Sequence, residues 1–292
     1  MSKNIQHIAV IRLSAMGDVA MTVPVLRALL SQNPELKITM VSRPFFKPFF
    51  DDIPNLTFFP VDVNDRHKGM MGLYRLFQDW KKLNIDAFAD LHNVLRSRIV
   101  GLFFKLSGTQ TAIVDKARAE KKALVRSENK VFKPLKPIVQ RHVDVFQTLG
   151  FKVDLNAVNF AERPEIPNSV KEILGESNQK LIGIAPFAQY ESKIYPIDLM
   201  QNVVALLSQN KDYKIILFGG GAKEKALLDA LSDGFENVSN LAGKIPFKDE
   251  LQLIANLDVM LSMDSGNAHI AAMYGVKVVT IWGATHPFAG FM

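Results

Sequence analysis

The chain has 292 residues, 48% of them hydrophobic and 22% charged, which is the composition of an ordinary globular protein with one large domain or two. It contains no cysteine, so disulfides, thiolate nucleophiles and cysteine-ligated metal centres are excluded. The net charge of +6 is unevenly placed, because residues 1–165 carry a net charge of +9 and residues 166–292 a net charge of −3.

Apolar runs of strand length alternate with segments of helical periodicity, which predicts parallel sheets covered by helices. In the first half we expect strands at residues 7–13, 37–42, 56–61, 87–91 and 111–114, and helices at 23–32, 72–82, 94–106 and 140–149. After a turn-rich linker at 160–168 the alternation restarts, with strands at 180–185, 214–218, 259–262 and 276–282 and helices at 197–209, 222–232, 248–256 and 268–274. The pattern predicts two α/β domains, 1–165 and 166–292, with a ligand cleft at the carboxyl ends of their strands.

No targeting or membrane-spanning segment is evident in the sequence. The apolar stretch near the amino terminus is too short for a signal peptide, and no run approaches the roughly 20 apolar residues that cross a bilayer. We therefore expect a cytoplasmic protein whose contact with the inner face of the plasma membrane is peripheral.

The first motif joins a buried-strand pattern to a Gly-Asp turn and a helix. Asp18 falls at the carboxyl edge of the first strand, near the positive end of a helix, where a carboxylate stays ionised. Such a carboxylate is a candidate general base, although its position by itself favours a helix cap.

Two loops of the second half carry groups that suit a phosphate. Lys193 lies between a strand and a helix and can reach a phosphate as a mobile charge, although a lone lysine is more often solvated. Gly219, Gly220 and Gly221 let the backbone approach a ligand at the start of a helix. A tight turn between strand and helix explains the three glycines equally well.

The strongest motif is Asp264, Ser265 and Gly266, which end a strand and open a helix. Backbone N–H groups after Ser265 can hold a diphosphate while Asp264 accepts sugar hydroxyls. A capping box also uses Asp or Ser at this place, but His269 in the first helical turn is a polar group that capping does not require.

Histidine spacing and charge distribution indicate which ligands the chain can bind. The six histidines show neither HxxxH nor HxH spacing, so we expect no protein-bound metal. Residues 116–141 hold nine Lys and Arg against Glu120 and Glu128, which favours an anionic partner. The alternative for this segment is a flexible, solvated loop.

Taken in order, these motifs resemble those of the ADP-heptose:lipopolysaccharide heptosyltransferases, glycosyltransferase family 9. The matching pieces span nearly the whole chain: SAMGD at 14–18 with Pro24, KIYP at 193–196, LAGK at 241–244, DSGNAHIAA at 264–272 and WGATHP at 282–287.

The resemblance implies a GT-B fold, with two Rossmann-like domains facing a cleft, and metal-independent sugar transfer with inversion at the anomeric carbon. The first domain would hold an anionic glycolipid acceptor, with Asp18 as the base and with Arg96, Arg98 and the 116–141 segment as contacts. The second would hold the nucleotide-sugar donor, and the positions implied there are Lys193, Glu224, Ile245, Asp264, Ser265, Gly266 and His269. No cofactor and no nucleic acid is expected.

Two departures from the family pattern leave alternatives open. Ala188 and Gln189 stand where the family tends to have a Thr-Thr pair, so the sugar can differ from heptose. The chain ends at Met292, where GT-B proteins usually continue through further helices, so we expect a truncated or shortened second domain. A nucleotide-sugar 2-epimerase of the same fold and a non-catalytic nucleotide-sugar-binding protein are the other interpretations.

Overall fold

The computed structural model describes residues 5–157, 162–175 and 178–291. The chain forms two compact units, the first comprising Met1–Asn159 with Pro287–Met292 and the second Phe160–His286. The second unit thus begins at residue 160 rather than 166. Residues 287–292, which we expected in the second domain, group with the first unit.

The first unit is built on a five-stranded parallel sheet with the order β3-β2-β1-β4-β5. Its strands are β1 (His7–Ile11), β2 (Lys37–Ser42), β3 (Leu56–Pro60), β4 (Ala87–Asp90) and β5 (Gln110–Ile113). Ile8 pairs with Ile38 on one side and with Ala87 on the other. The central strand β1 is apolar throughout its buried part because helices cover both faces of such a sheet.

Helices and short 3-10 turns connect these strands. The helices are α1 (Met16–Ala20), α2 (Val23–Gln32), α3 (Gly69–Lys81), α4 (Leu95–Leu106), α5 (Arg118–Val125) and α6 (Ile138–Thr148), and the 3-10 turns are Pro44–Phe49 and Leu155–Ala157. Trp80 on α3, Phe88 on β4 and Phe104 on α4 stack in the core, with the Phe88 and Phe104 ring centroids 5.1 Å apart.

The second unit repeats this architecture. Its parallel strands are β6 (Lys180–Ala185), β7 (Tyr213–Leu217), β8 (Val238–Asn240), β9 (Val259–Met263) and β10 (Lys277–Ile281), in the order β10-β9-β6-β7-β8. Its helices are α7 (Asn168–Leu174), α8 (Ile197–Ser208), α9 (Gly221–Ser232), α10 (Phe247–Ala255) and α11 (Gly266–Met273), with a 3-10 turn at Glu191–Lys193. Counted from its own first strand, this sheet has the strand order of the first.

The structure confirms the predicted α/β class with two parallel sheets. Strands 37–42 and 180–185 and helix 23–32 match the prediction to the residue, and the other predicted elements shift at their ends by up to three residues. The sequence prediction missed α1, α5, α7 and β8, which are short. Since α5 lies in the basic 116–141 segment, that segment is partly helical rather than a loop throughout.

Two further expectations concern single segments. In the expected linker at 160–168, residues 160 and 161 lie outside the described part of the chain, and 162–167 form neither helix nor strand before α7 begins. None of the helices in the described ranges is long and apolar enough to span a bilayer.

The strand order reverses once in each sheet, between β1 and β4 and between β6 and β9. In open parallel sheets of this kind, ligands bind outside the carboxyl ends of the strands at such a reversal. The segments that follow β1 and β4 carry Asp18, which lies in the short helix α1, and His92. Those that follow β6 and β9 carry Lys193 and Asp264. The fold therefore brings the predicted motifs to the expected edge of each sheet.

Candidate functional site

Asp18 is held at the carboxyl end of β1 by a buried arginine. Its Oδ2 lies 2.6 Å from Nη2 of Arg12, and the Asp18 side chain is 42% exposed whereas that of Arg12 is 6% exposed. The same oxygen accepts the backbone N–H of Ala15 at 3.2 Å, so Asp18 also caps α1. The Asp18 side chain therefore caps the helix and also presents an accessible carboxylate.

Arg12 is fixed from a second side. Its Nη1 donates to the carbonyl oxygen of Leu91 at 2.6 Å, just beyond the end of β4. A guanidinium presents several donors in one rigid plane, so the group that pairs with Asp18 also links the loop after β4 to the loop after β1.

His92 follows β4 and lies next to this pair. Its Nε2 is 3.4 Å from Oγ of Ser14, and the residue is 8% exposed. Burial, reinforced by the positive charges of Arg12 and Lys116, lowers the pKa of His92 to about 3. His92 is therefore a neutral polar group at neutral pH.

The turn that carries His92 is anchored by Asp90. The Oδ1 of Asp90 accepts the backbone N–H groups of His92 at 2.8 Å and Asn93 at 2.7 Å. Burial raises the pKa of Asp90, and the hydrogen bonds that it accepts oppose that shift. This buried carboxylate orients the loop rather than facing solvent.

The predicted acceptor contacts lie on α4. Arg96 is partly buried and Arg98 is exposed. Arg98 lines a surface depression of about 320 Å³ together with Asp115, Lys116 and Arg118. Burial and the nearby Arg12 charge lower the pKa of Lys116. The fold thus joins Arg98 to the start of the basic 116–141 segment, whereas Arg96 lies outside this depression.

In the second unit, Lys193 and Asp264 meet. Lys193 Nζ lies 2.6 Å from Asp264 Oδ2, and the same oxygen accepts the Thr285 hydroxyl at 2.7 Å. The side chain of Asp264 is 5% exposed and that of Lys193 is 19% exposed. Thr285 of the 282–287 motif and Lys193 of the segment after β6 therefore both contact the residue that follows β9.

The amino-terminal end of α11 lies beside this pair. Ser265 is the N-cap residue of α11, with Gly266 as its first helical residue, and its Oγ is 3.0 Å from Oγ of Ser262. His269 occupies the first turn and is partly buried. A helix start with unpaired N–H groups and a positive dipole end suits a phosphate group.

Glu224 and Ile245 follow β7 and β8, which lie on the opposite side of β6 from β9 in the sheet. Glu224 stands in the first turn of α9, and its Oε2 accepts the Gly220 N–H at 2.7 Å. A Cβ at Gly219 would lie 3.1 Å from this carboxylate and 3.4 Å from the Phe187 ring, so the glycine allows the loops after β6 and β7 to pack closely. Ile245 is 9% exposed before α10. The Glu224–Gly220 hydrogen bond and the position of Ile245 before α10 do not involve the Lys193–Asp264 pair.

The sequence prediction gave no role to Arg12, His92, Asp90 or Thr285, although Thr285 lies in the WGATHP motif. Arg12 stood inside an apolar run, and the first three become related only when β1 and β4 pair. Their common signal is position, because all three border the carboxyl ends of the strands on either side of the reversal. Among the described residues, no group of three or more His, Asp or Glu side chains is arranged to hold a metal ion.

Comparison with known proteins gives a consistent result. The chain matches glycosyltransferase family 9 (heptosyltransferase) over residues 73–289. It is 23% identical to the lipopolysaccharide core heptosyltransferase OpsX of Haemophilus influenzae over 284 residues, which cover 97% of this chain and 80% of that protein.

Solved structures share the fold. The Escherichia coli heptosyltransferase WaaC with ADP superposes with a TM-score of 0.70 at 20% identity, covering 96% of this chain and 88% of that one. A family 9 glycosyltransferase from Veillonella parvula gives a TM-score of 0.77 at 20% identity, covering 99% and 84%. These likenesses confirm the predicted GT-B fold class, and together with the family match over most of the sequence they show that the chain belongs to glycosyltransferase family 9, the heptosyltransferases.

Proposed function

We propose that this glycosyltransferase moves heptose from ADP-heptose to a lipopolysaccharide core acceptor, with inversion at the anomeric carbon and without a metal ion. The named relatives support the sugar and the acceptor, and the solved relative with ADP supports the nucleotide. The observation that carries the proposal is the half-exposed carboxylate of Asp18, held by a buried arginine at the reversal of the first sheet.

In the proposed reaction, Asp18 accepts the proton of the acceptor hydroxyl as the hydroxyl oxygen attacks the anomeric carbon. The bond between that carbon and the diphosphate oxygen breaks, and ADP leaves with the electron pair. Asp18 suits the role of base because its side chain is 42% exposed, whereas Asp90 and Asp264 are almost completely buried.

The second unit supplies the donor site in this proposal. Lys193 and the N–H groups at the start of α11 stabilise the negative charge that develops on the leaving diphosphate. This is the task that a divalent cation performs in other transferases. The ion pair with Asp264 places the ammonium group of Lys193 before the donor arrives.

The test is Asp18→Asn, which preserves shape and removes the base. We expect turnover to fall by about 10² to 10⁴-fold while the dissociation constant for ADP-heptose stays unchanged. Asp52→Asn is the matched control, because Asp52 also pairs with an arginine at 2.6 Å, elsewhere on the first unit. Turnover by Asp18→Asn at the control's rate would remove Asp18 as the base.

The same assay separates the alternatives. Product NMR should show an inverted anomeric centre in the acceptor, and a chelator should leave the rate unchanged. Epimerised nucleotide sugar formed without any acceptor would indicate the 2-epimerase instead. Donor binding without turnover on any core acceptor would indicate a non-catalytic protein.

A further inference from the structure

Two neighbouring helices of the first unit expose a large apolar surface. It comprises six residues, which we call the α3–α4 surface: Met70, Met71, Tyr74, Leu95, Leu102 and Leu106. Leu95 and Leu106 are each 77% exposed and Leu102 is 51% exposed. The rings of Tyr74 and Phe103 lie 5.7 Å apart, so the α3 and α4 parts are continuous.

The leucines of α4 form a stripe on its solvent side. Residues 95, 102 and 106 fall within about 40° of one another around a helix of 3.6 residues per turn. The opposite side of α4 is already buried through Ser97, Val100 and Phe104. A helix that packs only against its own sheet needs one apolar face, so the outer stripe has no role in the core of the unit.

The charges around this surface are basic. Exposed or partly exposed basic residues flank the apolar stripe on both helices: Arg75, Lys81, Arg96, Arg98 and Lys105. The acidic residue of these two helices, Asp79, already forms an ion pair with Arg66 at 2.6 Å. A surface depression of about 510 Å³ beside α4, lined by Arg98, Leu102, Lys105 and Ile113 among others, combines both chemistries.

We propose that the α3–α4 surface docks this protein on a bilayer that contains anionic lipids. Leucine, methionine and tyrosine side chains gain free energy by entering the interface between headgroups and acyl chains. Each arginine or lysine beside them is attracted by the negative surface potential of anionic lipids. The depression beside α4 receives a lipid phosphate next to an apolar wall. A lipid surface accounts for both features together.

The docking goes beyond the transfer reaction and is tested without it. The purified chain is mixed with phosphatidylcholine vesicles, with or without about one quarter phosphatidylglycerol, containing neither glycolipid acceptor nor nucleotide sugar. We expect binding to the anionic vesicles that weakens as salt is added, because counterions screen the attraction. If the chain fails to bind the vesicles, the proposed sugar transfer is not contradicted. If the chain transfers no sugar, the vesicle-binding result still stands.

Paired substitutions locate the surface. The double variant Leu102→Glu and Leu106→Glu should weaken vesicle binding by about tenfold or more. The variant lacks the two leucine side chains whose transfer from water into the bilayer favours binding. Leu199→Glu with Leu206→Glu, at exposed positions of α8 in the second unit, makes the same chemical change and should bind as the wild type does. Likewise, Arg98→Gln with Lys105→Gln should weaken binding, and Lys180→Gln with Lys211→Gln should not.

A tryptophan reporter variant gives a positive signal on docking, which a misfolded variant cannot mimic by loss of binding. The fluorescence of Leu106→Trp should shift to shorter wavelength when anionic vesicles are added, and that of Leu206→Trp should stay unchanged. The proposal is overturned if the chain ignores anionic vesicles, if the α8 variants lose as much binding as the α4 variants, or if both tryptophan reporters respond alike. Those results would show that the α3–α4 surface does not dock the protein on a bilayer.

Discussion

At the scale of single residues, the first unit pairs an accessible carboxylate with an inaccessible cation. Arg12 contacts both Asp18 and the Leu91 carbonyl, so it holds the proposed base in one orientation and ties together the two loops at the sheet reversal. A positioning residue of this kind affects the chemical step more than donor binding, because the donor site proposed here lies in the second unit.

Arg12→Met should therefore lower kcat by about 10 to 100-fold and leave the dissociation constant for ADP-heptose unchanged. Arg12→Lys should recover part of the rate, since it keeps the charge but loses one of the two contacts. Arg27→Met is the control, because Arg27 forms an equally short pair with Asp52. Equal losses in the Arg12→Met and Arg27→Met variants, after correction for the folded fraction, would contradict the positioning role.

At the scale of elements, the last described residues add backbone contacts to the first unit. The carbonyl oxygens of Phe288 and Gly290 accept the N–H groups of Leu135 and Ile138 at 2.9 and 3.0 Å. The Phe132 and Phe288 rings lie 4.9 Å apart, and Lys121 Nζ lies 4.8 Å from the Phe291 ring centroid. These contacts explain why residues 287–292 group with the first unit.

Gly290 is required at this junction for two reasons. Its φ is +71°, and a Cβ there would lie 2.7 Å from the Lys136 carbonyl oxygen. Gly108 has a φ of +81° with open space around it. Alanine at 108 should thus lower the free energy of unfolding by about 1 kcal/mol, and alanine at 290 by about 1 to 3 kcal/mol more because of the clash.

Urea unfolding measures both glycine variants, and hydrogen exchange locates the effect. In Gly290→Ala the amides of Leu135 and Ile138 should exchange faster than in the wild type, and in Gly108→Ala they should not. Indistinguishable unfolding midpoints for the two variants would show that the Lys136 carbonyl moves aside without cost.

At the scale of the whole molecule, the two units differ in their response to pH. Burial lowers the pKa of His92 and of His142 to about 3 in the first unit. Burial raises the pKa of Glu250 to about 7 in the second. Below pH 6.5 the unfolded first unit binds more protons than the folded one, so its stability is lost as the pH falls. Between pH 4.5 and about 7, the folded second unit keeps the Glu250 proton that the unfolded unit has already released. The free energy of unfolding of the second unit therefore falls as the pH rises.

Between pH 7.5 and 5.5, the pKa shifts of His92 and His142 should lower the free energy of unfolding of the first unit by about 3 kcal/mol. The pKa shift of Glu250 should raise that of the second unit by about 2 kcal/mol. Trp80 and Trp282 lie in different units, so urea titrations of Trp282→Phe and Trp80→Phe follow the first and the second unit respectively. Glu250→Gln should abolish the pH response of the second. Midpoints that move in the same direction with pH in both units would contradict these assignments.

Much of the architecture was predictable from the sequence because its causes are local. Central strands such as β1 and β6 are continuous apolar runs that can be buried only between two layers of helices, and the chain alternates these runs with helical periodicity. Short or highly charged elements such as α1 and α5 escaped prediction, since five to eight residues give little periodic signal. The motif residue Asp264 was found because it directly follows β9, and Asp18 because it lies in the turn-like segment between β1 and α2.

The sequence by itself determined the two parallel α/β halves, the family resemblance and the strand ends at which polar side chains collect. The tertiary structure alone decided that Arg12 holds Asp18, that Lys193 and Thr285 converge on Asp264, that residues 287–292 group with the first unit, and that α4 turns three leucines toward solvent. The physical reason is range. Burial periodicity depends on neighbouring residues, whereas most of these contacts join groups far apart in the chain, such as Leu135 and Phe288, which are 153 residues apart, and they depend on which strands lie side by side.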